Sequence, residues 1–317
     1  MARNTLKNRH AEKWIRFMRI PVIMLLIMAL SLSFSLSEKE FRPLPIDLSG
    51  GAPLDVAYSN KIMVYEDPTI RVERFAPTHD TTTLIQYYAV DIQVRDPSQV
   101  RTASADPTSF TSTRVVQPFR IAGRVNAVFA IDGDYCADDS VESTKYVMRQ
   151  GIVFRDSVEP KLDMLLIDEE GDMHIIPAGP ELETMDKSQI NGKAVWNVFQ
   201  FGPGLVIDGT PVPDEYILDE NHSPKFAEPA GGALRMCLVQ RGKLHYMAIC
   251  PRYHTNLHQL RELVLSVAPD CTNAYVLDGG GSAQLIFLGK TLNIAKGKDP
   301  RKLSDIIYFA SAWFEKE

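Results

Sequence analysis

The segment Tyr275-Val276-Leu277-Asp278-Gly279-Gly280-Gly281-Ser282 carries the densest chemistry in the chain. An apolar strand delivers a carboxylate at its carboxyl end, and three glycines follow where one would suffice for a turn. Consecutive glycines cost backbone entropy on folding, so the run implies a backbone lying close to something bulky, with amides able to donate. Ser282 adds a hydroxyl donor. No helix-opening glycine and no Gly-Lys-Ser/Thr follows, so neither the dinucleotide fingerprint nor the nucleotide phosphate loop is present. A second constellation, Ala130-Ile131-Asp132-Gly133-Asp134-Tyr135, runs a buried-type strand into two acids flanking a glycine. Carboxylates at i and i+2 converge on one ligand only if the turn reorients them. Together Asp132, Asp134 and Asp278 have the oxygen chemistry that Ca²⁺ or Mg²⁺ prefers. Ordinary turns are the alternative at both places, since Asp and Gly are common turn residues. His245, His254 and His258 cluster in sequence, but His254 precedes the cap of the helix that carries His258, so surface histidines are expected rather than metal ligands.

Strands must position these groups. Short β-branched runs bounded by Gly, Asp or Pro occur at 61–65, 83–94, 125–131, 164–167, 173–176, 204–207, 274–277, 284–288 and 305–310. Residues 233–240 and 243–250 form a hairpin around Arg241-Gly242, which sets Cys237 opposite Tyr246 and Cys250 opposite Ala233. That register disfavours a cross-strand disulfide; Cys136 with Cys271, or four free thiols, remain. The spacing of Leu257, Leu260, Leu263, Val264 and Val267 predicts a helix over 256–267, capped by Thr255 or Asn256 with Gln259 as capping-box partner and closed by Pro269. A shorter helix is expected over 181–190. The fold class is α+β: one mixed domain, residues 56–317, with extensive β-sheet and few helices.

The 317 residues, 45% hydrophobic and 23% charged, are ordinary globular composition and exclude disorder, collagen and coiled coil. A net charge of −6 gives no basic field for a nucleic-acid partner. Four cysteines without a Cys-x-x-Cys pair make neither a disulfide scaffold nor a zinc site. Residues 1–19 carry Lys7, Arg9, Lys13, Arg16 and Arg19 ahead of an uncharged, mostly apolar run at 20–37. A helix over that run would reach roughly 27 Å, enough for a thin bilayer core. It is expected to be a signal anchor that leaves the basic flank in the cytoplasm and the rest outside in a single pass; a cleaved signal, giving a secreted protein, is the alternative. Residues 38–55, with Pro43, Pro45, Gly50, Gly51 and Pro53, read as a stalk or extended lead-in.

The Asp278 block, preceded by a helix of the 256–267 kind, resembles the signature of the phosphodiester glycosidases. Three further segments fall in that family's order: Ala130 to Tyr135, where the family usually has Ile-Asn-Gly; the Phe201-Gly202-Pro203-Gly204 block; and Leu303-Ser304-Asp305-Ile306-Ile307. The resemblance spans about residues 80 to 312. Asp132 stands where the family has Asn, and Cys136 where it has Phe. The family's Pro-Arg-Thr-Ala-Ile-Gly strand has only a displaced counterpart leading to Arg235, and the 251–255 segment is short.

The resemblance implies hydrolysis of a sugar-1-phosphodiester at the anomeric C–O bond, on extracytoplasmic glycans. An oxocarbenium-like transition state calls for a carboxylate at C1, and the phosphomonoester leaving group makes cationic or amide donors matter more than a general acid. Asp278 is the first candidate for that carboxylate, then Asp134, then Asp132. Gly279, Gly280, Gly281 and Ser282 are the candidate phosphate donors, with Arg235 and then Arg252 as the cation. No cofactor is firmly implied. A metal-dependent phosphodiesterase and a noncatalytic envelope glycan-binding module are the alternatives.

Overall fold

A computed structural model describes residues 38–135, 145–218, 233–294 and 300–316. The chain divides into two units, Met1–Glu40 with Glu315–Glu317, and Phe41–Phe314. In the first, Glu38 and Lys316 pair at 2.5 Å. The second carries the sheets, the helices and the candidate site.

Its main elements are β1 (Val64–Asp67), β2 (Ile70–Arg74), β3 (Gln86–Val94), β4 (Val100–Ser104), α1 (Pro118–Arg124), β5 (Ala127–Asp132), β6 (Val147–Arg149), β7 (Ile152–Arg155), β8 (Asp163–Asp168), β9 (Met173–Ile176), β10 (Lys193–Phe201), β11 (Gly204–Ile207), β12 (Met236–Gly242), β13 (His245–Pro251), α2 (Leu257–Val267), β14 (Asn273–Leu277), β15 (Leu285–Phe287) and β16 (Asp305–Ala310). The largest sheet has the order β11-β14-β12-β13-β3-β2-β1; a second has β9-β8-β10-β6-β7; a third has β15-β5-β16-β4. Neighbouring strands run antiparallel. The fold is mostly β-sheet with few helices.

Alternation along β12 shows how the layers stack. Met236 and Leu238 point into the central core, with Phe129 and Ile131 of β5 and Leu165 and Ile167 of β8. Cys237 and Val239 point the other way, onto Leu257, Leu260, Leu263 and Val264 of α2. Both faces of the strand are thus buried, which is why it reads as a continuous apolar run. Helix α2 starts as its sequence dictates. Asn256 Oδ1 accepts from Gln259 N at 2.8 Å, and Gln259 Oε1 accepts from Asn256 N at 3.0 Å.

Several expectations shift. The β12–β13 register sets Cys237 opposite Ile249 and Gln240 opposite Tyr246, so the turn is at Lys243-Leu244 and not Arg241-Gly242. Leu244 takes φ +54, and Gly242 sits at a register irregularity. Cys237, Cys250 and Cys271 are buried free thiols; Cys136 lies outside the described residues. The helix expected over 181–190 stops after Glu181–Thr184. Asp186 Oδ1 captures the amide and hydroxyl of Ser188 at 2.9 and 2.7 Å, and Asn191-Gly192, at φ +52 and +80, then turns the chain into β10. The lead-in packs onto the domain from Arg42 onward, with Arg42 N bonding Ala312 O at 3.0 Å and Leu44 buried. Gly51 N bonds Val125 O at 3.0 Å and Ala52 N bonds Ser311 O at 2.9 Å. A Cβ on Gly51 would stand 2.4 Å from that of Ala310, so this glycine serves close approach rather than flexibility. Among the described residues no helix is long and apolar enough to cross a membrane; residues 20–37 lie outside them.

Candidate functional site

Strands β5 and β14 lie in different sheets, yet their carboxyl ends meet. Asp278 N donates to Gly133 O at 3.3 Å, one residue past the end of β5. Asp132, the last residue of β5, is buried; its Oδ1 accepts from Gln284 N at 3.2 Å, and its Oδ2 has no hydrogen-bond partner. Burial, and secondarily the charge of Asp278, push its carboxyl well above the usual carboxylate range. The Cys250 thiol is pushed up to about 12, mainly by burial and then by Asp132.

Asp278 is only half-buried. Desolvation raises its carboxyl, while the Ser282 hydroxyl, the Gly279 amide and the charges of Lys145 and Arg301 pull it back. Gly279 N reaches Asp278 Oδ1 at 2.7 Å. The exposed Arg301 donates Nη1–H to Ser282 Oγ at 3.2 Å, and Gln284 Nε2 ties Gly281 O and Arg301 O at 3.2 and 2.9 Å. Asp278, Ser282 and Arg301 therefore form one linked group, in which Ser282 is buried, Asp278 half-buried and Arg301 exposed.

The bulky neighbour that the glycine run implies is the chain itself. A Cβ on Gly279 would stand 2.7 Å from Leu234 O, and Gly280, at φ +60, donates its amide to that same oxygen at 2.9 Å. The amides of Gly279 and Gly280 are thus committed, to Asp278 Oδ1 and to Leu234 O.

Asp134 does not converge with the other two acids. Its side chain is fully buried, with Oδ1 2.7 Å from Arg149 Nη2 and Oδ2 accepting from Gln200 N at 2.9 Å. Lys145 Nζ donates to its carbonyl. Asp305, at the start of β16, accepts from Asp134 N at 3.3 Å and from Ser304 Oγ at 2.7 Å, and its Oδ2 lies 3.9 Å from Arg149 Nη2. Burial first, then Asp134, raises the Asp305 carboxyl. These groups buckle the turn after β5, and only glycine fits at 133, where a Cβ would fall 1.7 Å from Asp305 Oδ2.

The expected cations are placed elsewhere. Arg235 is buried and donates Nε–H to Thr255 O at 3.3 Å. Arg252 is exposed, 3.3 Å from Gln86 Oε1 and stacked 5.5 Å from the Tyr253 ring centre. His245 pairs with Asp91 at 2.8 Å and His258 with Asp214 at 2.9 Å, so the histidines do not gather. Among the described residues no three His, Cys, Asp or Glu side chains form a cluster able to hold a metal. Arg149, Lys145, Arg301 and the role of Asp305 escape sequence reading; only Asp305 lay in a quoted segment.

This is a β-rich domain that joins two acid-bearing strand ends beneath a glycine turn. The model of the phosphodiester glycosidase family matches residues 125–310, more than half of the chain, and the chain belongs to that family. Its fold is similar to the catalytic domain of zebrafish N-acetylglucosamine-1-phosphodiester alpha-N-acetylglucosaminidase, at TM-score 0.58 and 15% identity over 86% of this chain and 88% of that one. It is similar also to a hypothetical protein from Synechocystis, at TM-score 0.51 and 12% identity over 76% and 62% of the two chains. No curated protein matches the chain in sequence.

Proposed function

We propose that the domain hydrolyses a sugar-1-phosphodiester at the anomeric C–O bond, releasing the sugar and a phosphomonoester. The observation that supports it most is the junction at which half-buried Asp278 bonds Gly133 O, next to buried Asp132 and beside the Ser282–Arg301 group. Two carboxyls in mutual repulsion do not both ionise readily. The proton belongs on Asp132, whose Oδ2 is buried without a partner. The charge belongs on Asp278, which the Gly279 amide and Ser282 stabilise. Asp278 is then the carboxylate at C1, either attacking it or activating water. The exposed Arg301 takes the phosphate, whose negative charge grows as the C–O bond breaks, while the buried Ser282 hydroxyl links Arg301 to Asp278. Asp134 holds the turn and does not touch substrate.

Residues 1–37 form, in this reading, a basic flank and signal anchor that present the domain outside the membrane to envelope glycans carrying phosphodiesters. Protease added to intact cells should then digest the domain; a fully protected domain would place it inside.

The chemistry is tested in ¹⁸O water with an N-acetylglucosamine-1-phosphodiester, comparing wild type with Asp278→Asn by mass spectrometry. Label in the sugar is expected, with the rate in the variant down by about 10²–10⁴. Label in the phosphate would instead mean P–O cleavage and overturn the reading.

A further inference from the structure

A concavity lies beside the site but outside it. Its walls are His79, Leu84, Ile85, Gln86, Tyr253, His254, Thr255 and Gln259, and its volume is about 360 Å³. That is the size of a small-ligand pocket, which typically holds about 300–1,000 Å³.

Three features of the walls point to one kind of ligand. Tyr253 is 60% exposed, a large ring on the surface with no core to fill. Leu84, 74% exposed, is held beside it at φ +60 by the Asp80 turn, where Leu84 N bonds Asp80 O at 2.9 Å. Thr255 is 4% exposed, and its buried hydroxyl has no hydrogen-bond partner although it lines the concavity. A hydroxyl out of water without a partner is costly, and a small shift toward the concavity would let a ligand group complete it. Gln259 commits Oε1 to the helix cap and Gln86 accepts from Arg252 through Oε1, which leaves the amide N–H donors of both. Arg252 stacks over the Tyr253 ring and spends Nη1 on Gln86; the remaining aromatic surface, with scattered neutral donors and acceptors, suits a polyhydroxylated ring.

The concavity is also wired to the candidate site. Thr255 and Ala233 exchange both backbone hydrogen bonds, at 2.9 and 3.2 Å, and the next residue, Leu234, accepts the Gly280 amide. Arg235 adds its bond to Thr255 O. One short backbone bridge therefore separates the pocket from the turn that follows Asp278.

We infer that this concavity is a subsite for neutral saccharide units of an extended glycan, with Tyr253 as the stacking platform and the Thr255 hydroxyl as a buried hydrogen-bonding group. The inference rests on the glycan reading above but not on catalysis. It implies that longer chains are bound better than single sugars.

The test uses the full chain in detergent with Asp278→Asn, which blocks turnover, on an array of neutral oligosaccharides of glucose, galactose, mannose and N-acetylglucosamine, one to six units long. Oligomers of at least one sugar should be retained over their monosaccharide, and Tyr253→Ala should weaken retention by about tenfold. Thr255→Val, which removes the unpartnered hydroxyl at constant shape, should weaken retention while leaving the melting temperature unchanged or higher. A purely structural threonine would lower it. No retention of any oligomer, or equal retention by both variants, overturns the subsite. Retention without sugar release in ¹⁸O water would sink the catalytic reading and leave the subsite standing.

Discussion

At the scale of single residues the division of labour among the three acids is set by what each carboxylate oxygen touches. Asp134 is engaged at both oxygens, by Arg149 and by Gln200 N. Asp132 is engaged at one and bare at the other. Asp132→Asn keeps the acceptor for Gln284 N and removes the need to take up a proton on folding, so it should raise stability by about 1–3 kcal/mol at pH 8 and by less near pH 5. Thermal melts at the two pH values check this, and an equal effect at both would contradict it. Activity should move in the opposite direction, because the proton-holding partner of Asp278 is lost. Arg149→Met leaves Asp134 buried and unpaired, and should cost about 3–5 kcal/mol by denaturant unfolding. A loss under 1 kcal/mol would mean that Asp134 is held by its amide contact alone. The sequence shows the acids because strand-then-Asp-Gly patterns are local. It does not show Arg149 or Lys145, because nothing near them in sequence distinguishes them from surface cations.

The elements explain why the glycines recur. Gly279 lies where a Cβ would meet the backbone oxygen of Leu234, whereas a Cβ on Gly281 would meet only the flexible Arg301 side chain at 3.4 Å. Gly279→Ala should therefore cost about 1–3 kcal/mol and displace Asp278, while Gly281→Ala should be nearly neutral in stability. Parallel melting and turnover assays separate the two, and matching losses would refute the account. What was legible at this scale followed periodicity. Residues 173–176, 204–207 and 305–310 are strands with those limits, and α2 has the expected cap. Strand β10, at Lys193–Phe201, is absent from the sequence reading, which places a short helix over 181–190 just before it, although Asn191-Gly192 announces a hairpin there. The β12–β13 turn was misplaced by two residues because the chain contains a glycine at 242 but bends after it, at Leu244. The residues alone group Asp132, Asp134 and Asp278 as one candidate site, but they do not show that Asp134 turns away into its pairing with Arg149, because that partner lies on another sheet.

For the molecule as a whole, the carboxyls fall into two populations with opposite linkage to pH. Asp132, Asp278 and Asp305 are raised, first of all by burial. Their contribution to stability is complete below the ordinary value of 3.8 and is lost as pH rises through their folded values. Surface acids behave in reverse. Glu170, bonded first to Lys243 and then to Lys193, is held at about 2, as is Asp186 by Ser188 and Gln189. What these contribute is present above the ordinary carboxylate range and disappears as pH falls toward about 2. Stability should therefore increase on moving from neutral to mildly acidic pH, pass through one maximum, and fall below about pH 4. Melting temperatures taken from pH 3 to 8 in constant ionic strength would trace this curve. Asp132→Asn should flatten its neutral limb and leave the acid limb in place, because the acid limb belongs to groups on the other side of the molecule's charge balance. A maximum that stays at or above neutral pH would mean that these three acids are solvated in solution, and with that the assignment of the proton to Asp132 would fail.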